Sequence, residues 1–91
     1  MPAEAAGIHT LSVYSRPGCH LCEQLVEELL PLIRGSLDLE IIDIDRSPSL
    51  IATYGTRIPV VQLGDRVLCE FHLDRQAVLD VVAACDARRA S

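Results

Sequence analysis

The chain contains no lysine and no tryptophan, and its 91 residues include only one phenylalanine and two tyrosines. Without lysine there is no side-chain amine for Schiff-base chemistry and no lysine of the phosphate-cradling Walker type. All eight cations are arginines, and thirteen acidic residues outnumber them, leaving a net charge of −5. A surface that tracks phosphates depends on a cationic field, so no nucleic-acid partner is expected. The scarcity of aromatics also removes the stacking platform that bases or sugars use. No apolar run approaches the roughly 18 residues of a membrane-spanning helix, and Met1 to Ile8 lack the basic start and apolar stretch of a secretory signal. A soluble, cytoplasmic protein without a membrane partner is therefore expected, as a monomer. At 49% hydrophobic residues the chain is too apolar to stay disordered. With no repeat, linker or low-complexity segment, residues 1–91 are read as one domain.

What the chain does have is four cysteines. In a reducing compartment these indicate redox or metal chemistry rather than a disulfide framework. Cys19 and Cys22 form a C-H-L-C pair, whereas Cys69 and Cys85 stand alone, so a two-knuckle zinc site is absent. Cys69 alternates with Val67 and Phe71 on one strand face and Cys85 extends a Val78–Val82 stripe, which makes both buried apolar filler. Cys69, Cys85, His20 or His72 could instead add ligands to a metal held by the pair. The strand-loop-helix context favours redox chemistry.

A β-prone run over Thr10–Tyr14 ends in the turn Ser15-Arg16-Pro17-Gly18. From Cys19 onward, Cys22, Val26, Leu29 and Ile33, with Leu25 and Leu30 beside them, follow helical spacing. Glu23, Glu27 and Glu28 lie off the stripe, as a solvated face. Pro31 should kink this helix or mark its finish before Gly35. Leu39–Ile44 reads as a second strand, Ser47 as the cap of a short helix from Pro48 through Tyr54, and Ile58–Leu63 as a third strand. Gly64-Asp65 turns a hairpin into Arg66–Phe71. Asp74 caps a final helix, with Arg88-Arg89 near its negative end. The order β-α-β-α-β-β-α gives an α/β fold with a four-stranded mixed sheet and helices on both faces. In it each strand-helix-strand unit joins parallel neighbours and the hairpin adds an antiparallel edge.

A cysteine is nucleophilic as thiolate, and a helix start supplies free N–H groups and the positive dipole end to stabilise that anion. Cys19 is then the attacking thiol and Cys22, one turn on, the resolving thiol. Arg16 and His20 flank Cys19 and would favour the thiolate if their charges face it.

The segment V-Y-S-R-P-G-C-H-L-C-E-Q-L resembles the active-site strand, loop and helix of the thioredoxin superfamily, most of all its glutaredoxin-like branch. Y-G-T-R-I-P-V is similar to the same family's second motif, about 40 residues further on. The resemblance implies a thioredoxin-like fold, a cis bond at Ile58-Pro59, and a substrate segment docked on Ile58 and Pro59. It also implies thiol–disulfide oxidoreductase activity on disulfide-bearing or glutathionylated proteins. An external thiol would serve as reductant, with glutathione as candidate co-substrate and no bound cofactor. Arg16 stands where glutaredoxins often carry a basic residue. The family's Gly-Gly and paired-acid segment is replaced by Phe71-His72-Leu73-Asp74-Arg75, of which only Asp74 survives. That exchange removes close backbone approach and sets a cation where an acid would hold the ligand's amino group. The competing class is a non-catalytic thioredoxin-fold module that binds a metal, an iron–sulfur cluster shared through Cys19, or a protein partner.

Overall fold

The computed structural model describes residues 10–90. The Met1–Ile8 lead and the side chains of Arg88 and Arg89 lie outside the described residues. Strand β1 (Thr10–Ser15) alternates strictly: Leu11, Val13 and Ser15 are buried, while Thr10, Ser12 and Tyr14 turn to the opposite face. Helix α1 (His20–Ile33) packs Leu25, Leu29 and Ile33 against the Leu11 face, with Cys22 buried at the head of the same stripe. Each such aliphatic side chain stabilises the fold by roughly 1.5–3 kcal/mol on full burial. The stripe is narrower than its spacing suggested, because Val26 is only half-buried and Leu30 is exposed. Pro31 falls in the last turn of α1, where it deprives the Glu27 carbonyl of its donor within the helix, and the helix finishes two residues later, before the Arg34 cap. Gly35 follows at φ +83°, a left-handed position that favours glycine.

Strand β2 (Asp38–Asp43) pairs in parallel with β1. Ile44, expected at the end of this strand, is fully buried and opens a 3-10 turn, Ile44–Arg46, that Asp43 caps through the Asp45 N–H at 2.9 Å. Helix α2 (Pro48–Tyr54) starts on proline as expected, although the Ser47 hydroxyl makes no capping bond to it. Tyr54 stacks on Tyr14 with ring centroids 3.9 Å apart. Tyr14 lies on the face away from α1, so helices cover both faces of the sheet.

Strands β3 (Val60–Leu63) and β4 (Arg66–Glu70) form the hairpin, and the sheet order is β2-β1-β3-β4. The expectation that the second strand-helix-strand unit joins parallel neighbours is corrected here. β3 pairs antiparallel with β1 and does not touch β2. The reason is length. A seven-residue helix carries the chain about 10 Å, half the roughly 20 Å of a six-residue strand, so α2 cannot return the chain to the far end of the sheet. The chain re-enters from the end at which β2 leaves.

A register shift opposite Val61 and Gln62 pairs these residues with Cys69 and Val67, leaving Leu68 as the extra residue of a bulge. Leu68 and Cys69 are both buried as a result, while Val67 and Phe71 are exposed, which corrects the reading of Val67, Cys69 and Phe71 as one buried face. Helix α3 (Arg75–Ala90) closes the core with Val78, Val81 and Cys85. Asp74 caps it, its Oδ1 accepting from the Ala77 N–H at 3.1 Å. Among the described residues no helix is long and apolar enough to cross a membrane.

Candidate active site

The site forms where β1 gives way to α1. Gly18 adopts φ +79°, and the Cys19 N–H donates to the Arg16 carbonyl at 3.2 Å, so the chain folds back before the helix begins. Cys19 is itself the N-cap of α1: its backbone is extended, and its Sγ accepts from the Cys22 N–H at 3.3 Å. The half-buried sulfur thus occupies the place of a capping oxygen, at the helix end whose partial positive charge favours an anion.

Cys22 sits one turn on with a different environment. It is 3% exposed and belongs to the buried stripe. Burial, reinforced by its hydrogen bond with Cys19, pushes its thiol up to about 12, while a backbone hydrogen bond involving Arg16 works in the opposite direction. Both cysteines are free thiols. One sulfur is presented on a backbone donor at the helix start and the other is buried one turn on, its protonated form favoured.

The Arg16 guanidinium turns toward the 3-10 turn, with Nε and Nη2 donating to Asp45 Oδ1 at 3.1 and 3.0 Å. This hydrogen bond is the main reason its pKa lies above the ordinary arginine value, and the charge of Cys19 contributes least. Arg16 is thus a strut between the active loop and the 3-10 turn. His20 is the exposed first residue of α1.

Ile58-Pro59 is a cis peptide bond, with Pro59 buried and Ile58 half-buried at the head of β3. The loop before it is anchored by Arg57, a residue to which the sequence reading gave no role. Arg57 Nε and Nη2 donate to Glu70 Oε2 at 3.1 and 2.8 Å, Nη1 donates to the Thr53 carbonyl at 3.2 Å, and the guanidinium lies 5.5 Å from the Tyr54 ring centroid. The Phe71 N–H donates to the Pro59 carbonyl at 2.9 Å. Phe71 sits at φ +67°, in the left-handed region that non-glycine residues rarely adopt. Asp74 is exposed, its carboxylate engaged in capping α3.

Cys19, Cys22 and Arg16 therefore meet at one loop-helix junction, Ile58 and Pro59 stand with Phe71 at the β3 head, and Asp74 works on α3. Cys69 and Cys85 are buried in the core, the Cys85 Sγ donating to the Ser36 carbonyl at 3.6 Å. Among the described residues, no three His, Cys, Asp or Glu side chains gather into a metal-binding group. No sequence signal marks Arg57 as an anchor, because its partner Glu70 lies 13 residues away on another strand.

Comparison with known proteins agrees with this fold. The model of the Glutaredoxin-like domain (DUF836) matches residues 10–83. The chain belongs to this glutaredoxin-like family and has the thioredoxin-like fold. Among solved structures, protein Ne2328 from Nitrosomonas europaea is 40% identical with a TM-score of 0.67, over 82% of this chain and 87% of that one. Target protein XcR50 from X. campestris is 30% identical with a TM-score of 0.62, over 81% of this chain and 96% of that one. No curated protein matches.

Proposed function

We propose that the protein is a thiol–disulfide oxidoreductase of the cytoplasm, acting on protein disulfides or glutathionylated cysteines. The observation that carries the proposal is the pairing of a helix-capping Cys19 sulfur with a buried, protonated Cys22 one turn behind it. In the first step the Cys19 thiolate attacks one sulfur of the substrate disulfide. The Cys19–substrate bond forms, the substrate S–S bond breaks, and the departing thiolate takes a proton. In the second step Cys22 gives up its proton and attacks Cys19 Sγ, forming the Cys19–Cys22 disulfide and releasing the second substrate thiol. Two electrons have then passed from the dithiol to the substrate. An external thiol, glutathione or a protein dithiol, returns the pair to the reduced state. Ile58 and Pro59, at the head of the strand that pairs with β1, present backbone to the extended substrate. Asp74, already committed to its cap, gives glutathione a weaker hold than a free carboxylate would.

The test is intact mass and free-thiol count across glutathione redox buffers, on wild type and on Cys22→Ser. The expected result is reversible loss of two thiols in wild type, with one glutathione trapped on Cys19 in the variant. The resulting potential can be set beside the roughly −200 to −230 mV of glutaredoxins. Absence of a disulfide in every buffer, or a bound metal that protects both thiols, would overturn the redox reading and favour the binding-module alternative.

A further inference from the structure

Strand β1, which leads into the Cys19 loop, has β3 with Pro59 at its head on one side and β2 on the other, so that loop has a second flank on the side of β2. There the loop after β1, the first two turns of α1 and strand β2 enclose an open groove of about 470 Å³, within the range of ligand-binding clefts. Its apolar floor is Pro17, Val26 and Ile41, and Cys22 lines it while Cys19 does not. Ile41 is 55% exposed, more than any other large hydrophobic side chain exposed among the described residues. It lies on β2, which ends the sheet and pairs on one side only, so the groove runs beside an open strand edge.

The charge around this floor is predominantly negative. Glu23, Glu27 and Asp43 line the groove, and Arg16, its sole cation, is bound to Asp45. A second copy of this chain is a poor occupant, since edge-to-edge pairing of β2 would bring Asp38, Glu40 and Asp43 against the same residues in a protein of net charge −5. Glutathione, a net anion, is repelled by the same acids. A cationic chain satisfies all three features, with backbone for the open edge, an aliphatic side chain for Ile41 and Val26, and positive charge for the acids.

We propose that this groove docks an extended, basic segment of the protein substrate, next to the cysteine that resolves the mixed disulfide. The identity of the occupant as a substrate rests on the redox reading, whereas the docking itself does not. The segment runs along the open edge of β2 with an aliphatic side chain on Ile41, and its arginines or lysines reach Glu23, Glu27 and Asp43. Substrate selection is thereby separated from the chemistry. The Pro59 side takes the residues next to the disulfide, and the acidic groove selects proteins with a basic stretch nearby.

The probe is a cysteine-free peptide of alternating arginine and valine, titrated into the reduced protein and followed by amide chemical shifts. A glutamate–valine peptide serves as control. Shifts centred on Glu23, Val26, Glu27, Ile41 and Asp43 are expected for the basic peptide and none for the acidic one. Glu27→Arg combined with Ile41→Ser, both at exposed positions, should weaken binding about fivefold to tenfold, and raising salt to about 0.5 M should have a similar effect. Equal binding of both peptides, shifts centred on Phe71–Leu73, indifference to the double variant, or self-association through β2 in place of peptide binding would overturn the proposal. Thiol counts on the same samples keep the two readings apart. Loss of the disulfide cycle with peptide binding intact removes the redox function alone, and a working cycle without peptide binding removes the docking alone.

Discussion

The two flanks of the dithiol are built by different means. On the β2 flank the groove is assembled from residues close to Cys19 in the chain plus one neighbouring strand, and its single cation is held by Asp45. On the Pro59 flank the contacts that join elements link distant segments, namely Arg57 on Glu70, the Phe71 N–H on the Pro59 carbonyl, and Tyr54 on Tyr14. The first flank is open, acidic and apolar, whereas the second is pinned and carries a left-handed phenylalanine. The difference suggests a division of labour, in which the rigid flank holds the reacting bond in register and the open flank admits varied sequence. The two sulfurs divide in the same way, Cys19 on the Cys22 N–H and Cys22 facing the groove.

The largest expected effect comes from breaking the asymmetry of the sulfurs. Cys19→Ser should lower the rate of disulfide reduction at least about a hundredfold, because a serine hydroxyl is neither ionised near neutral pH nor able to form the mixed disulfide. Cys22→Ser should still form that intermediate and accumulate it, as mass spectrometry of the adduct would show. If Cys22→Ser abolished adduct formation while Cys19→Ser preserved it, the roles would have to be exchanged.

A second effect concerns stability at alkaline pH. The Cys22 thiol lies near 12 in the folded protein against an ordinary 9.0, chiefly through burial, so it is the neutral form that the fold favours. Its contribution is fully present below about pH 9 and is lost as pH rises from there towards 12, since the unfolded chain ionises first. Tyr14 and Cys69, also raised by burial, add to the same trend. Comparison of wild type with Cys22→Ala by thermal unfolding from pH 8 to about pH 11 separates the Cys22 share. The stability advantage of wild type should shrink steadily across that window, and a constant advantage would contradict the buried, protonated state of this thiol.

Asp74→Ala has a smaller effect, on the Pro59 flank. Removing the N-cap of α3 should cost about 1 kcal/mol in denaturant unfolding. If Asp74 is a cap first, glutathione-dependent turnover should fall no more than the stability loss explains. A turnover loss without a stability loss would instead assign its carboxylate to the ligand.

Much of this was legible in the sequence because its signals are local. The C-H-L-C pair at a helix start, proline at the head of α2, the hairpin over Gly64-Asp65 and the Asp74 cap all depend on residues within a few positions of one another. The parts that were not legible depend on partners brought together by folding. Arg16 reads as a neighbour of Cys19, yet its guanidinium goes to Asp45, 29 residues away. The alternation of Val67, Cys69 and Phe71 is sound on paper, but a single inserted residue in the ladder turns Leu68 inward and Val67 outward. The direction of β3 follows from how far α2 can carry the chain, a geometric limit that the hydrophobic pattern does not express.

The smallest expected change is the one that best sharpens the contrast between the flanks. Phe71 adopts φ +67°, and a left-handed conformation costs a non-glycine residue about 1–2 kcal/mol. Its side chain is 43% exposed, so the packed remainder offsets that cost. Phe71→Gly relieves the backbone but gives the unfolded chain extra freedom worth roughly 0.5–1 kcal/mol and forfeits that packing, so the net change in stability should stay within about 1 kcal/mol. If the phenylalanine is held in place to meet substrate, the variant should reduce protein disulfides more slowly. A glycine here also restores part of the close backbone approach that glutathione needs, so reduction by glutathione should quicken as the protein substrate slows. A variant in which both rates move together would show that Phe71 serves packing and not recognition.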